Sequence, residues 1–210
     1  MNYKLVIFDF DGTLADSYSW FLSVYQDLSE QFGLPAVDED EMQRLRTLDV
    51  RQIMKEYRIP FWKLLVIGRH LTRLMSSQIE HIRLVDGMQH VIDSLASQGV
   101  RMAIVTSNKE KNVRRVLGPH NMARIEFLES GVSMFGKKHK IHKILQLAGI
   151  DASEALSIGD ELRDLKSSHE AQVDFGAVGW GTTDLATLQK HSPRRIFQHP
   201  AEILALMEAV

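Results

Sequence analysis

Leu5-Val6-Ile7-Phe8-Asp9-Phe10-Asp11-Gly12-Thr13-Leu14 sets a short apolar run in front of two carboxylates separated by one aromatic ring. An apolar run of this length, closed by a turn residue, reads as a buried strand. Side chains alternate faces along a strand, so Asp9 and Asp11 are expected to project to the same side at its carboxyl end. Two carboxylates crowded at one point repel, and the pair becomes tolerable when a cation sits between them or one member keeps a proton. Gly12 lets the chain turn there without a Cβ penalty. Taken alone, Asp-x-Asp-Gly reads equally well as a solvated turn.

The rest of the chain bounds the possibilities. At 210 residues and 44% hydrophobic, it is long and apolar enough for a real core, in one large domain or a core with a smaller companion. Its 25 basic and 27 acidic residues give a net charge of −2, which suggests neither a nucleic-acid surface nor disorder. It has no cysteine, so a disulfide framework, a thiol nucleophile and a thiolate metal site are all excluded. Any metal must be held by oxygen or imidazole. Met1-Asn2-Tyr3-Lys4 leads into an apolar run too short for a signal peptide or a spanning helix, so no membrane partner is expected and a cytoplasmic location is. Oligomeric state is not readable.

Further strand-length apolar runs occur at 100–105, 155–158 and 175–178. Near-continuous hydrophobicity is the mark of strands covered on both faces. Helical patterns lie between them: Met88, Val91, Ile92 and Leu95 precede Gly99, and Ile141, Ile144, Leu145 and Ala148 precede Gly149. The alternation predicts an α/β fold, a Rossmann-like parallel sheet with helices on both faces, binding ligands beyond the carboxyl ends of its strands.

Between the first strand and Gly87 the pattern is wholly helical, with apolar faces at Phe21, Val24, Leu28 and Phe32 and, after Pro60, at Phe61, Leu64, Leu65, Leu71 and Leu74. A structureless loop this long is improbable in a compact domain, which predicts a helical subdomain over 16–84 inserted in a core formed by 1–15 and 85–210. Its charge is uneven. Asp16, Asp27, Glu30, Asp38, Glu39, Asp40 and Glu41 face no Lys or Arg over 16–41, whereas residues 42–73 hold eight Lys or Arg and only two acidic residues. Arg44, Arg46 and Arg51 are either solvated surface charges or cations for a second anionic group on a substrate.

Three other segments carry chemistry. Val105-Thr106-Ser107-Asn108 ends a strand with a hydroxyl before a helix start, which suits phosphate oxygens and equally suits a helix cap. Gly136-Lys137-Lys138-His139-Lys140, after Phe135, puts cations at a helix amino terminus, where they oppose the macrodipole and call for an anionic partner. His139 and His142 read as exposed helical histidines. Leu156-Ser157-Ile158-Gly159-Asp160 ends a strand in a carboxylate, and in a helix beginning at Glu161, Asp164 turns back toward that end. Oxygen donors of this kind suit Mg²⁺; a capped helix start is the alternative.

Together these strings, in this order, resemble the haloacid dehalogenase-like hydrolases: Asp-Phe-Asp-Gly-Thr-Leu-Ala-Asp-Ser from Asp9, Thr106, the Gly136-Lys137 pair, and Gly-Asp-x-x-x-Asp over 159–164, followed by Val-Gly-Trp-Gly ending at Gly181. Within the family the chain looks most like the phosphoglycolate phosphatase type, including Ser192-Pro193 to Ile196-Phe197 and Ala201-Glu202-Ile203-Leu204. The resemblance implies a helical cap over the site and Mg²⁺-dependent hydrolysis of a small phosphorylated metabolite through an aspartyl-phosphate. It implies Asp9 as nucleophile and Asp11 as acid and base, with Thr106, Ser107, Asn108 and Lys137 on the phosphoryl group. Lys138 is the neighbouring candidate, because the Lys-Pro form of many relatives is missing. Mg²⁺ would be held by Asp9, the Asp11 carbonyl, Asp160 and Asp164. A dehalogenase would need no metal and no acid at Asp11; a sugar phosphomutase or a phospho-ligand binding protein would use the same residues.

Overall fold

Every residue of β1 (Leu5–Phe8) is buried, as a strand covered on both faces requires. Five strands join it, all parallel: β2 (Arg101–Val105), β3 (Phe127–Glu129), β4 (Ala155–Gly159), β5 (Asp174–Val178) and β6 (Arg195–Phe197). Among the described residues, 3–131 and 136–206 of this computed structural model, their order is β3-β2-β1-β4-β5-β6. Met1, Asn2 and Phe135 lie outside the described residues. The chain leaves β1 to one side for β2 and to the other for β4, so the strand order reverses at β1, where sheets of this kind open a crevice. Phe8 stands opposite Ile104 of β2 and Ile158 of β4, which brings Asp9, Thr106 and Asp160 out at nearly one level.

The strands β3 and β6 were not foreseen. Each has three residues and neither is a continuous apolar run: no residue of β3 is fully buried, and in β6 only Phe197 is.

Between β1 and the core helices lie α1 (Ser17–Phe32), α2 (Glu39–Leu45), α3 (Val50–Glu56) and α4 (Phe61–Ser77). Helices α1 and α4 run antiparallel: Trp20 Nε1 donates to Gln78 Oε1 at 2.9 Å near one end, while the Phe32 and His70 rings meet edge to face at the other. Trp20, Val24 and Leu28 turn into the same apolar cluster as Phe10 and Leu14. The predicted α4 face needs correction, since Phe61 and Leu65 are 62% and 46% exposed while Ile67 is buried. A helix packed on one side alone buries only one stripe, and here that stripe runs through Ile67, Leu71 and Leu74.

The links joining this insertion to the rest of the chain lie side by side. Ala15 bridges Leu84, Asp16 N donates to Arg83 O at 2.9 Å, and Val85 N donates to Leu14 O at 2.8 Å.

The core helices are α5 (Met88–Ser97), α6 (Glu110–Met122), α7 (Lys137–Ala148), α8 (Leu162–Glu170) and α9 (Leu185–Gln189). Alternation along the strands divides them between the faces. Val6, Phe8, Met102 and Ile104 cluster with Met88, Val91, Ile92 and Leu95 of α5 and with Val113 and Leu117 of α6. Leu5, Ile7, Ala103 and Val105 cluster with Ile141, Ile144 and Leu145 of α7. Helix α8 begins one residue later than expected, with Glu161 as its cap. No helix among the described residues is long and apolar enough to cross a membrane.

Candidate active site

Asp9 follows β1 directly and is buried, and its Oδ1 lies 2.8 Å from Lys137 Nζ. Its Oδ2 is buried with no hydrogen-bond partner among the described residues. Burial, and then the charge of Asp164, raise the Asp9 pKa; Lys137 opposes the shift.

Asp11 is placed differently. It keeps part of its surface exposed, and Asn108 Nδ2 lies 3.0 and 3.1 Å from its two carboxylate oxygens. Protein packed around the carboxyl withholds solvent and, with the Asp9 charge, pushes its pKa up to about 7, against the hydrogen bonding from Asn108. The two carboxylates of the opening motif thus stand in unlike surroundings.

The turn between them is built around a third carboxylate. Gly12 has φ of 71°, and a Cβ there would land on the carboxylate of Asp160. Asp160, fully buried after β4, accepts from Thr13 Oγ1 at 3.0 Å and from Thr182 N at 2.8 Å. Burial first, then Glu161, Asp164 and Asp9, raise its pKa well above the carboxylate range. Asp164 receives Lys137 Nζ at 2.5 Å on one oxygen and Glu161 N at 3.2 Å on the other.

Lys137 opens α7 and is buried, whereas Lys138 is half-buried. Burial works against the Lys137 charge, but Asp164 and Asp9 outweigh it and hold the amine protonated. The anionic partner demanded by a cation at a helix amino terminus is therefore this carboxylate pair. His139 is exposed and His142 half-buried.

Thr106, buried after β2, accepts from Asn108 N at 2.9 Å through Oγ1, which leaves its hydroxyl proton free to donate. Ser107 is exposed. The helix-cap reading of this segment does not hold, because Lys109 is the cap residue of α6 and supplies no side-chain cap bond. Asn108 spends its side chain instead on Asp11, on Lys109 N and on Asn112.

Asp9, Asp160 and Asp164 each bring a carboxylate oxygen to within 4.8 Å of the others. Three buried hard oxygen donors, one of them bearing an unpartnered oxygen, fit a divalent cation such as Mg²⁺. The Asp11 carboxylate is not in this cluster.

Of the insertion arginines Arg44, Arg46 and Arg51 considered as cations for a substrate, Arg44 is engaged by Glu41 and Glu56 within the insertion, and Arg51 is exposed. Arg46 reaches the core instead, donating to Gly181 O at 2.8 Å. The partners missed from sequence are Thr13, Gly181 and Thr182. Thr13 stands within the opening motif as a hydroxyl beside the turn, whereas the Thr182 contact comes from a backbone N–H, which every residue but proline carries.

Comparison with known proteins agrees with this geometry. Over its whole length the chain is similar to phosphoglycolate phosphatase of Synechococcus elongatus, 23% identical over 96% of this chain and 95% of that protein. The N-acetylmuramic acid 6-phosphate phosphatase of Pseudomonas aeruginosa is 24% identical over 99% and 96%. A haloacid dehalogenase-like family hydrolase from Streptococcus pneumoniae shares the fold with a TM-score of 0.80 at 19% identity, covering 98% of each chain. The family described as haloacid dehalogenase-like hydrolase matches residues 6–178, from β1 to the end of β5, and the chain belongs to that family.

Proposed function

We propose that this protein is a phosphatase that hydrolyses a small phosphate monoester, phosphoglycolate or an ester of similar size, through an aspartyl-phosphate on Asp9. The observation that carries this reading is the division between the opening carboxylates: Asp9 has a buried, unpartnered Oδ2, and Asp11 has a pKa near 7. The relatives named for phosphoglycolate and for a sugar 6-phosphate support the substrate class.

In this reading a carboxylate oxygen of Asp9 attacks phosphorus as the bond to the leaving oxygen breaks, and Asp11 gives its proton to that oxygen. Water then attacks the phosphorus of the aspartyl-phosphate while Asp11 takes a proton from it, releasing inorganic phosphate and restoring the Asp9 carboxylate and the protonated Asp11. Thr106 donates its free hydroxyl proton to a phosphoryl oxygen. Ser107 and the Asn108 segment border the same oxygens, and Lys137 offsets charge on Asp9 and on the phosphoryl group. Asp9, the Asp11 carbonyl, Asp160 and Asp164 would hold Mg²⁺, which when bound neutralises the repulsion between Asp9 and the phosphoryl oxygens. The helical insertion over 16–84 acts as a cap on the core formed by 1–15 and 85–210, excluding water and selecting the leaving group.

The test is phosphate release from a panel of small phosphate esters in Mg²⁺. Wild type should turn over at least one of them, and Asp9→Asn should release none. Turnover retained by Asp9→Asn would overturn the mechanism.

A further inference from the structure

The far end of α2 meets the core through Arg46. Its Nη2 donates to Gly181 O at 2.8 Å and its Nε to Thr182 O at 3.3 Å, while its own carbonyl accepts from Asp184 N at 2.9 Å. The guanidinium lies over the Tyr18 ring, 5.1 Å from the centroid, and Nη1 donates to Gln43 Oε1 at 2.9 Å. Four neighbours, Gly181, Thr182, Tyr18 and Gln43, therefore fix its plane. An ammonium, a compact point charge on a flexible stem, lacks the planar fork that makes this set of contacts rigid.

The Gly181 carbonyl belongs to the same peptide group as Thr182 N–H, and that N–H donates to Asp160 Oδ2 at 2.8 Å. One planar unit thus carries Arg46 on its oxygen and Asp160 on its hydrogen. The peptide cannot twist internally, so displacing the oxygen swings the N–H. A cation on the oxygen also polarises the group and strengthens the bond its N–H makes. Gly181 packs so closely on Asp160 that a Cβ there would collide with the Asp160 side chain, leaving the unit little room to adopt another pose. Further contacts between insertion and core lie elsewhere, among them Met75 and Ser76 with Asn108 and Asn112, Ser17 Oγ with Gly12 N, and the apolar face of α1 in the core cluster.

We propose that Arg46 is a positioning residue that ties seating of the insertion to the orientation of Asp160 through the 181–182 peptide. With Arg46 seated, Thr182 N–H holds Oδ2 and the carboxylate presents a fixed oxygen to a divalent cation. With the insertion lifted, the peptide is released and Asp160 loses that constraint. The inference rests on the reading of Asp160 as a cation ligand.

Calorimetric Mg²⁺ titration without substrate tests it. Arg46→Ala should weaken Mg²⁺ binding about tenfold, the scale on which groups that orient a metal ligand act. Arg46→Lys, which reaches one carbonyl, should fall between it and wild type, and Asp160→Asn should lose binding. Amide exchange at Thr182 N–H, followed without metal, should quicken in Arg46→Ala, an effect confined to that loop. Wild-type affinity in Arg46→Ala alongside lost affinity in Asp160→Asn would overturn the lever and leave the cation site standing. Wild-type affinity in Asp160→Asn would remove the cation site and the lever with it. Should Arg46→Ala fail to fold, Arg46→Lys with wild-type affinity overturns the proposal.

Discussion

Asp9 and Asp11 differ in what surrounds them far more than in chemistry. Asp9 is tied to Lys137, whereas Asp11 sits under the Asn108 amide with part of its surface exposed. If Asp11 supplies the proton to the leaving oxygen, Asp11→Asn should lower kcat about 10²- to 10⁴-fold on alkyl phosphates. The loss should be smaller on an aryl phosphate, whose leaving group needs little help, and steady-state kinetics on both substrates checks this. Equal losses on the two would argue against the acid role. Lys137 gives a second residue-scale expectation. Lys137→Met leaves Asp9 and Asp164 buried without their cation and should cost about 3–5 kcal/mol in urea unfolding, while Lys138→Met should cost little. Asp9, Asp11 and Asp160 were legible in the sequence because each stands at the end of an apolar run read as a strand, although the same strings alone also read as a turn or a helix cap until the family resemblance joined them. The work of Asn108 was not: an amide beside Thr106 looks equally suited to a phosphate or a cap, and only the fold brings Asp11 within its reach.

At the scale of elements, legibility followed burial. Strands β1, β2, β4 and β5 announce themselves as apolar runs because helices cover both their faces, while β3 and β6 hold three residues each and carry no such mark. The strand β3 is nevertheless anchored. Its Glu129 carboxylate accepts from Lys140 Nζ at 2.7 Å and pairs with Lys143 as well, joining the strand to α7, and Glu129 O accepts from Thr106 N at 2.9 Å. Hydrogen bonds from Lys140 and then Lys143 hold the Glu129 pKa below its usual 4.5. A depressed carboxylate pKa means that the unfolded chain takes up the proton first. Its stabilisation is therefore complete above the unfolded value near 4.5 and is lost as pH falls through the lower folded value. Glu129→Gln should cost about 1 kcal/mol near neutral pH and flatten the decline in stability below pH 4.5, as read from denaturant midpoints across that range. Within the insertion, periodicity found the helices but misjudged the face of α4. Phe61 and Leu65 fall on the helical pattern, yet nothing among the described residues covers them, because the helix packs on the core side only.

For the molecule as a whole, the carboxyl edge of the sheet concentrates negative charge that the fold does not fully neutralise. Asp9, Asp160 and Asp164 lie within 4.8 Å of one another, with Lys137 set against two of them. A divalent cation bound there should stabilise the native state by mass action, about 2.7 kcal/mol at a hundredfold excess over Kd. Thermal unfolding should shift upward with Mg²⁺ and fall back with a chelator, and in Asp160→Asn the shift should vanish. The links at Ala15 and Leu84 carry a further consequence for the architecture. Since the insertion departs and returns through two links joined side by side, its two ends already sit at bonding distance whatever lies between them. Lengthening or exchanging the intervening helices changes the entropy of a closed loop only logarithmically with length. The sheet is thus spared the cost of such changes, and the insertion, which in the proposed reading selects the leaving group, can be re-cut in evolution or in the laboratory while Asp9 and Asp160 stay where β1 and β4 set them.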